Sequence, residues 1–323
     1  MTGRGIMDKR TSKTDFLSIV VPVYNEQDGI MVFYQALTDA LQEAAVKPEI
    51  IFVNDGSTDG SWNILKGLHE REPQVKLIDL SRNFGHQNAL TAGIESARGD
   101  AVVLMDMDLE DDPGTILEFL SKWKEGYEIV YAIRDRRQVS MILKTFYRLF
   151  HWVNSMVSDL QMEAAGTFCL MDRRVVEQFK KFPERDRYIP GLRVWVGFKQ
   201  TGVKSDRGKR YDGRSRVGVI RLIKLAADSI FSFSTLPLRF AILFGLFFSF
   251  LSFCLVAVII WIKLFTGLAV PGWASILSAV MLIGGIQLIC MGFQGEYLIR
   301  VFNEVKNRPN YIVRESVGFD VKD

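Results

Sequence analysis

Asp106, Asp108, Glu110, Asp111 and Asp112 crowd one short stretch, directly after the apolar run 101–105 and just before Pro113. So many carboxylates repel one another unless something positive sits among them. Hard oxygen ligands at the C-terminal end of a buried strand suit Mg2+ or Mn2+, which would in turn hold a diphosphate. A plainer reading fits the same residues: a solvated acidic turn before the helix that Pro113 opens, with Asp111 or Asp112 as its N-cap. The stretch alone leaves both open.

A second group lies in the loop Asn54-Asp55-Gly56-Ser57-Thr58-Asp59-Gly60. Gly56 and Gly60 permit turn conformations, and Ser57, Thr58 and Asp59 can cap the helix that follows. Asp55 is then left facing a crevice, where a carboxylate can accept from a nucleobase imide or a ribose hydroxyl, unless it merely helps the cap. No Gly-x-Gly-x-x-Gly follows the first strand and no Gly-Lys-Ser/Thr is present, which disfavours Rossmann-type dinucleotide sites and P-loops.

The elements that must position these groups follow from periodicity. Nearly all-apolar strands are expected at 16–23, 49–53, 75–80 and 101–105, separated by amphipathic helices at 26–45, 59–71 and 86–97. This βαβαβαβ order implies an α/β fold whose parallel sheet is covered on both faces, with ligands gathered beyond the strand C-termini. The loops 22–26, 54–60 and 106–112 all fall there. A further strand at 128–133 ends in Arg134, Asp135, Arg136 and Arg137. A guanidinium at that point could offset charge on a departing nucleotide, or the cluster is a basic surface turn.

Composition narrows the class. The 323 residues allow one large domain plus an appendage, and a net charge of +3 is too small to argue for nucleic acid. Cys169, Cys254 and Cys290 show no disulfide or zinc spacing. Residues 1–15 are polar and basic, read as a disordered lead rather than a signal or anchor. Residues 144–157 are basic, aromatic and amphipathic, suited to a core-packed helix or to a membrane interface.

Taken together, Val20-Val21-Pro22-Val23-Tyr24-Asn25-Glu26, Val53 to Asp59, Ser81-Arg82-Asn83-Phe84-Gly85 and Asp106-Met107-Asp108-Leu109 resemble glycosyltransferase family 2, the inverting, nucleotide-sugar-dependent enzymes of GT-A fold. Each motif is weak, but four in order at consecutive strand ends are specific. The resemblance implies that Pro22, Tyr24, Glu26 and Asp55 line the base and ribose pocket. It makes Asp106 and Asp108 an Asp-x-Asp element at the ribose, diphosphate and metal. Glu110 stands where the nearest relatives carry Gln, as a further candidate ligand, and Arg134 matches a family position near the leaving group.

Gly166-Thr167-Phe168-Cys169-Leu170 resembles the Gly-Asp-Phe-Arg-Leu segment of polyprenyl-phosphate glycosyltransferases, with Thr167 and Cys169 replacing the Asp and Arg. No general base carries over; Glu163 is merely nearby. Lys204, Arg207, Lys209, Arg210, Arg214, Arg216, Arg221 and Lys224 then crowd one region. Within it, residues 210–216 resemble Arg-x-x-Gly-Glu-Ser-Lys, with Arg214 replacing the acid. Arg210, Ser215 and Arg216 match by type and would contact acceptor or donor phosphate. The same strip also suits anionic lipid headgroups.

Residues 217–236 pattern as an interfacial amphipathic helix, and 240–262 and 273–295 carry no charge over more than about 20 residues, the length of a membrane span. Lys263 alone lies between them, whereas Arg221, Lys224, Arg239, Arg300, Lys306 and Arg308 flank the outer ends. The positive-inside rule then puts the catalytic domain and both termini in the cytoplasm, at a bacterial inner membrane. The expected organisation is a lead (1–15), a GT-A domain (16–216), a juxtamembrane helix (217–236), two transmembrane helices (237–299) and a cytoplasmic tail (300–323).

The function this implies is transfer of a hexose, glucose for preference, from UDP-sugar to undecaprenyl phosphate, with Mg2+ or Mn2+. GDP-mannose and UDP-N-acetylglucosamine are alternative donors. Two helices are too few for a channel within one chain, which points to a separate flippase or to a homo-oligomer. A polysaccharide synthase would show Gln-x-x-Arg-Trp; residues 191–195, Gly-Leu-Arg-Val-Trp, approach it but lack the Gln. A nucleotide-binding membrane module without catalysis would have lost Asp55, Asp106 or Asp108, and all three are present.

Overall fold

In a computed structural model of the chain, the described residues are 15–42, 44, 46–134, 166–185, 187–205, 236–266 and 272–319. The strands are β1 (Asp15–Val23), β2 (Val46–Asn54), β3 (Val75–Leu80), β4 (Ala101–Leu104), β5 (Ile129–Arg134), β6 (Cys169–Asp172), β7 (Gln200–Ser205) and β8 (Val313–Val317). The helices are α1 (Ile30–Leu41), α2 (Ser61–Arg71), α3 (His86–Ser96), α4 (Thr115–Lys124), α5 (Arg173–Phe179), α6 (Ile189–Trp195), α7 (Leu236–Thr266) and α8 (Trp273–Lys306). The described residues divide into two compact units: β1 through β7 together with the segment from Pro309, and α7 with α8 through Arg308.

The first unit is built on one eight-stranded sheet of order β7-β5-β6-β4-β1-β2-β3-β8. The last six residues of β2 are all buried, as expected of a strand covered on both faces. β1, β2, β3 and β4 are mutually parallel, as are β5 and β7. β6 runs antiparallel to β4 and β5, and β8 antiparallel to β3. The GT-A-like, mostly parallel α/β architecture is therefore present, with two strands reversed. α3 lies close on β1: a Cβ on Gly93 would stand 2.1 Å from Val20 Cγ1, so the contact requires glycine.

At the N-terminal edge of the sheet, buried Glu49 ties three strands together. It accepts from Ser18 Oγ, from Lys76 Nζ at 2.6 Å and from the Arg98 N–H at 2.7 Å. Burial works to raise its carboxyl, but these partners outweigh that and hold it below the usual carboxylate range.

Several expected boundaries move: the strand expected from 49 begins at Val46, and the helix expected to end at 45 ends at Leu41. The first helix begins at Ile30 rather than at 26, because Asn25 takes a left-handed φ of 53° and the Gly29 N–H closes a turn on the Glu26 carbonyl at 3.0 Å. The expected tail, 300–323, supplies β8, so the chain returns to the catalytic sheet after its last long helix.

In the second unit, the expected spans 240–262 and 273–295 fall within the continuous helices α7 and α8. Among the described residues, one segment, Leu282–Lys306, is long and apolar enough to cross a membrane by length and composition. Large apolar side chains, including Leu243, Phe247, Phe250, Phe253, Trp261 and Leu288, are exposed on this unit. The lead 1–14, the stretch 144–157 and the interfacial segment 217–235 also lie outside the described residues.

Candidate active site

The site occupies the C-terminal edge of the parallel strands, where the loops after β1, β2, β3 and β4 meet. The first two are sewn together by side chains. The Asn25 N–H donates to Ser57 Oγ at 3.0 Å, and Asn25 Oδ1 accepts from the Thr58 N–H at 2.8 Å. The Glu26 N–H donates to Ser61 Oγ at 3.1 Å, and Gln27 Oε1 accepts from the Gly60 N–H at 2.9 Å. Asp59 caps α2 through the Ser61 N–H at 3.0 Å, whereas Ser57 and Thr58, expected at the cap, turn to Asn25 instead. Tyr24 is exposed at this rim, with Pro22 and Glu26 half-buried.

Asp55 departs from expectation. It is buried and spends both oxygens on backbone: Oδ1 accepts from the Phe84 N–H at 2.7 Å and Oδ2 from the Gly85 N–H at 3.0 Å. Burial raises its carboxyl above the usual range, against the pull of those donors. Asp55 thus holds the β3–α3 loop in place, and a nucleotide would meet only its remaining lone pairs. The two loops touch closely: Gly56, at φ 65°, leaves no room for a Cβ, which would stand 2.3 Å from the Arg82 carbonyl carbon.

The acidic stretch divides by role. Asp106 is partly exposed beyond β4 and its Oδ1 lies 2.7 Å from His86 Nε2, at the first residue of α3. Partial burial works to lower the His86 pKa, but Asp106, with Asp55 and Asp108, raises it, so the imidazole keeps its proton to higher pH than usual. Asp108 Oδ1 accepts from the Glu110 N–H at 3.1 Å, shaping a turn in which Leu109 takes φ 55°. Asp112 Oδ1 accepts from the Gly114 N–H at 3.0 Å ahead of α4, and Asp111 is buried. Asp106 and Asp108 lie at the C-terminal edge of the strands, whereas the helix expected to be capped by Asp111 or Asp112 has Gly114 at its N-cap, with Asp112 holding the Gly114 N–H one step earlier.

Among the described residues, no group of three or more His, Cys, Asp or Glu is placed to hold a metal ion. The donor set still fits Mg2+ or Mn2+, because such ions are commonly held by one or two carboxylates together with substrate phosphates and water. Asp106 and Asp108 would be the carboxylates of such a site, and Glu110 is half-buried in the same loop.

Arg134 ends β5 at this same edge, in register with Ser205 on β7. Cys169 opens β6 opposite Leu104 and Tyr131. Where the resemblance carries an arginine, the structure brings one from elsewhere. Buried Arg193 on α6 donates to the Gly166 carbonyl at 3.2 Å and lies 4.5 Å from the Tyr131 ring centroid. Burial pushes the Cys169 thiol up, and Arg193 beside it works the other way. Asp172 sits opposite Ala101, at the far edge of the sheet, where it caps α5 through the Arg174 N–H and accepts from Trp123 Nε1 at 2.9 Å. Glu163, Arg210, Arg214, Ser215 and Arg216 lie outside the described residues.

Sequence reasoning passed over His86 and Asn25. His86 directly follows the Ser81–Gly85 motif at a strand end, which was the available signal.

Residues 18–180 match the model of glycosyl transferase family 2. The chain belongs to that family. An uncharacterized glycosyltransferase of Bacillus subtilis, YkcC, is 42% identical over 310 residues, covering 94% of this chain and 95% of the relative. The SfII prophage-derived bactoprenol glucosyl transferase of Shigella flexneri is 39% identical over 305 residues, covering 93% of this chain and 98% of the relative. Among solved structures, mannosyl-3-phosphoglycerate synthase from Rubrobacter xylanophilus is similar, with TM-score 0.47 and 16% identity over 67% of this chain and 72% of that one. In this family 2 glycosyltransferase the sequence Asp106-Met107-Asp108 lies on the loop after β4, with His86 on one oxygen of Asp106.

Proposed function

We propose that this glycosyltransferase moves a hexose, glucose for preference, from UDP-sugar to undecaprenyl phosphate on the cytoplasmic membrane face, with inversion. The observation that carries this reading is the near full-length similarity to a bactoprenol glucosyl transferase, joined to a donor-side loop cluster and a unit of exposed apolar helices.

Pro22 and Tyr24 would flank the base, and Glu26 and Asp55 the ribose. Asp106 and Asp108, with Glu110 as a further candidate, would hold Mg2+ or Mn2+. Bound there, the ion supplies counter-charge for the departing diphosphate. Arg134 would add positive charge on the same side. The acceptor phosphate, positioned by Arg210, Ser215 and Arg216, attacks the anomeric carbon opposite the diphosphate. One C–O bond forms as the bond to the diphosphate breaks. A phosphate monoester has a second pKa of about 6, so near neutral pH it is largely a dianion with no proton to remove. Catalysis then reduces to positioning and charge stabilisation. The placement of Asp172 at the far edge supports a mechanism without a carboxylate base.

Topology supports the membrane reading. β8 pairs with β3, so residues 313–317 share a compartment with the catalytic sheet. The number of crossings between Ser205 and Val313 must then be even. If Leu282–Lys306 crosses, a second segment crosses too, and α7 is the helix available to do it.

The test is transfer by membranes given radiolabelled UDP-glucose, UDP-galactose, UDP-N-acetylglucosamine or GDP-mannose, with undecaprenyl phosphate or undecaprenol as acceptor. Transfer from UDP-glucose to the phosphate alone is expected. Arg210→Ala and Arg216→Ala should weaken it, while Glu163→Gln should cost far less than the roughly 10²–10⁴-fold of a general base. Efficient transfer to the alcohol would overturn the nucleophile.

A further inference from the structure

The segment after α8 is joined to the donor-side loops by polar contacts more extensive than an edge strand requires. Arg314 Nη1 lies 3.3 Å from Oδ2 of Asp79, which is 1% exposed. The other oxygen of Asp79 accepts from Asn54 Nδ2 at 2.7 Å, and Asn54 Oδ1 accepts from the Ser57 N–H at 3.3 Å. Ser57 Oγ in turn takes the Asn25 N–H, so one continuous chain of contacts runs from the C-terminal strand to the loop bearing Tyr24.

Two further ties run in parallel. The Ser81 N–H donates to the Ile312 carbonyl at 2.9 Å, fixing the start of the loop whose Phe84 and Gly85 N–H groups meet Asp55. The Tyr311 hydroxyl donates to Glu95 Oε2 at 2.6 Å, near the end of α3, the helix that begins with His86.

We propose that the C-terminal segment Tyr311–Val317 sets the geometry of the nucleotide pocket, with Arg314 as a positioning residue acting through Asp79 and Asn54. A buried carboxylate needs a counter-charge or it rearranges to find donors. Without Arg314, Asp79 would compete for other donors and release Asn54, loosening the turn at Ser57. The argument rests on reading the 54–60 loop as part of the nucleotide site.

The experiment uses the full chain in detergent and reads UDP affinity by calorimetry with Mn2+, alongside donor KM and kcat. Arg314→Ala should weaken UDP binding and raise donor KM by about five- to tenfold, the scale of one ordinary hydrogen bond, because Arg314 acts on the pocket indirectly. kcat and acceptor KM should stay within about twofold of the parent, a spread well under 1.4 kcal/mol. Arg314→Lys should recover most of the loss, because a cation near Asp79 is restored. Tyr311→Phe, which removes only a hydroxyl, should raise donor KM in the same direction and guards against misfolding of the arginine variant. Unchanged UDP affinity in Arg314→Ala and Tyr311→Phe, with a lowered melting temperature alone, would reduce the segment to a stabilising edge strand and overturn the proposal. Absence of UDP binding by the parent chain would overturn the nucleotide reading as well.

Discussion

Asp108 and Asp172 are both aspartates near family motifs, yet their surroundings give them opposite work. Asp108 lies in the loop at the catalytic edge and uses one oxygen to close a turn on the Glu110 N–H. Asp108→Asn keeps an oxygen acceptor for that turn but removes the charge a divalent cation needs. Turnover is expected to fall below about a tenth of the parent, more than roughly 1.4 kcal/mol of barrier, with little change in melting temperature. Retained turnover would remove Asp108 from the metal site. Asp172→Asn should do the reverse. Its carboxylate caps α5 and takes the Trp123 N–H at the end of the strands remote from Asp106, five residues or roughly 16 Å of extended chain away. Stability should drop by about 1 kcal/mol, the scale of a weakened cap, while kcat per folded molecule stays near the parent value. The sequence placed Asp108 within a motif, and Asp172 follows two residues after another. Asp172's role was not legible because it depends on which way β6 runs, and a four-residue apolar run carries no sign of direction.

At the scale of elements, the parallel core was legible because its strands are buried on both faces and separated by amphipathic helices. The reversed strands were not. β8, Val-Arg-Glu-Ser-Val, is half-exposed at an edge, where alternation is diluted by charge, and only its pairing partner reveals it. Glu49 was likewise hidden, since a glutamate beginning an apolar run reads as its polar boundary. In the structure it clamps β2, on which it lies, to β1, β3 and the turn before β4. Its folded pKa lies below the unfolded value, so its contribution is complete above that value, about 4.5, and is lost as pH falls through the folded pKa. The melting-temperature gap between the parent and Glu49→Gln should therefore be constant above about pH 5 and shrink on further acidification. A gap that widens toward pH 4 would show that Glu49 is not held charged by Lys76.

For the whole molecule, the pairing of β8 with β3 constrains how the chain can meet a bilayer. A single crossing by Leu282–Lys306 would leave Val313–Val317 across the membrane from its partner strand, which the hydrogen-bonded sheet forbids. The excess of Arg and Lys at the outer ends of the two apolar stretches leads to an expectation of two crossings by a separate route. Loop charge and backbone pairing are independent features of the chain. They meet in a prediction about two positions. In a chain with Cys169, Cys254 and Cys290 replaced by alanine, Thr266→Cys, at the end of α7, should react with an impermeant thiol reagent in intact cells. Ser316→Cys, exposed on β8, should react only after lysis. Reaction of both positions from outside would overturn the cytoplasmic placement of the catalytic sheet, with which β8 is paired. Protection of both would leave α7 and α8 lying at or within the cytoplasmic face without crossing, and the acceptor phosphate would then have to be presented to the site by lipid lateral to the helices.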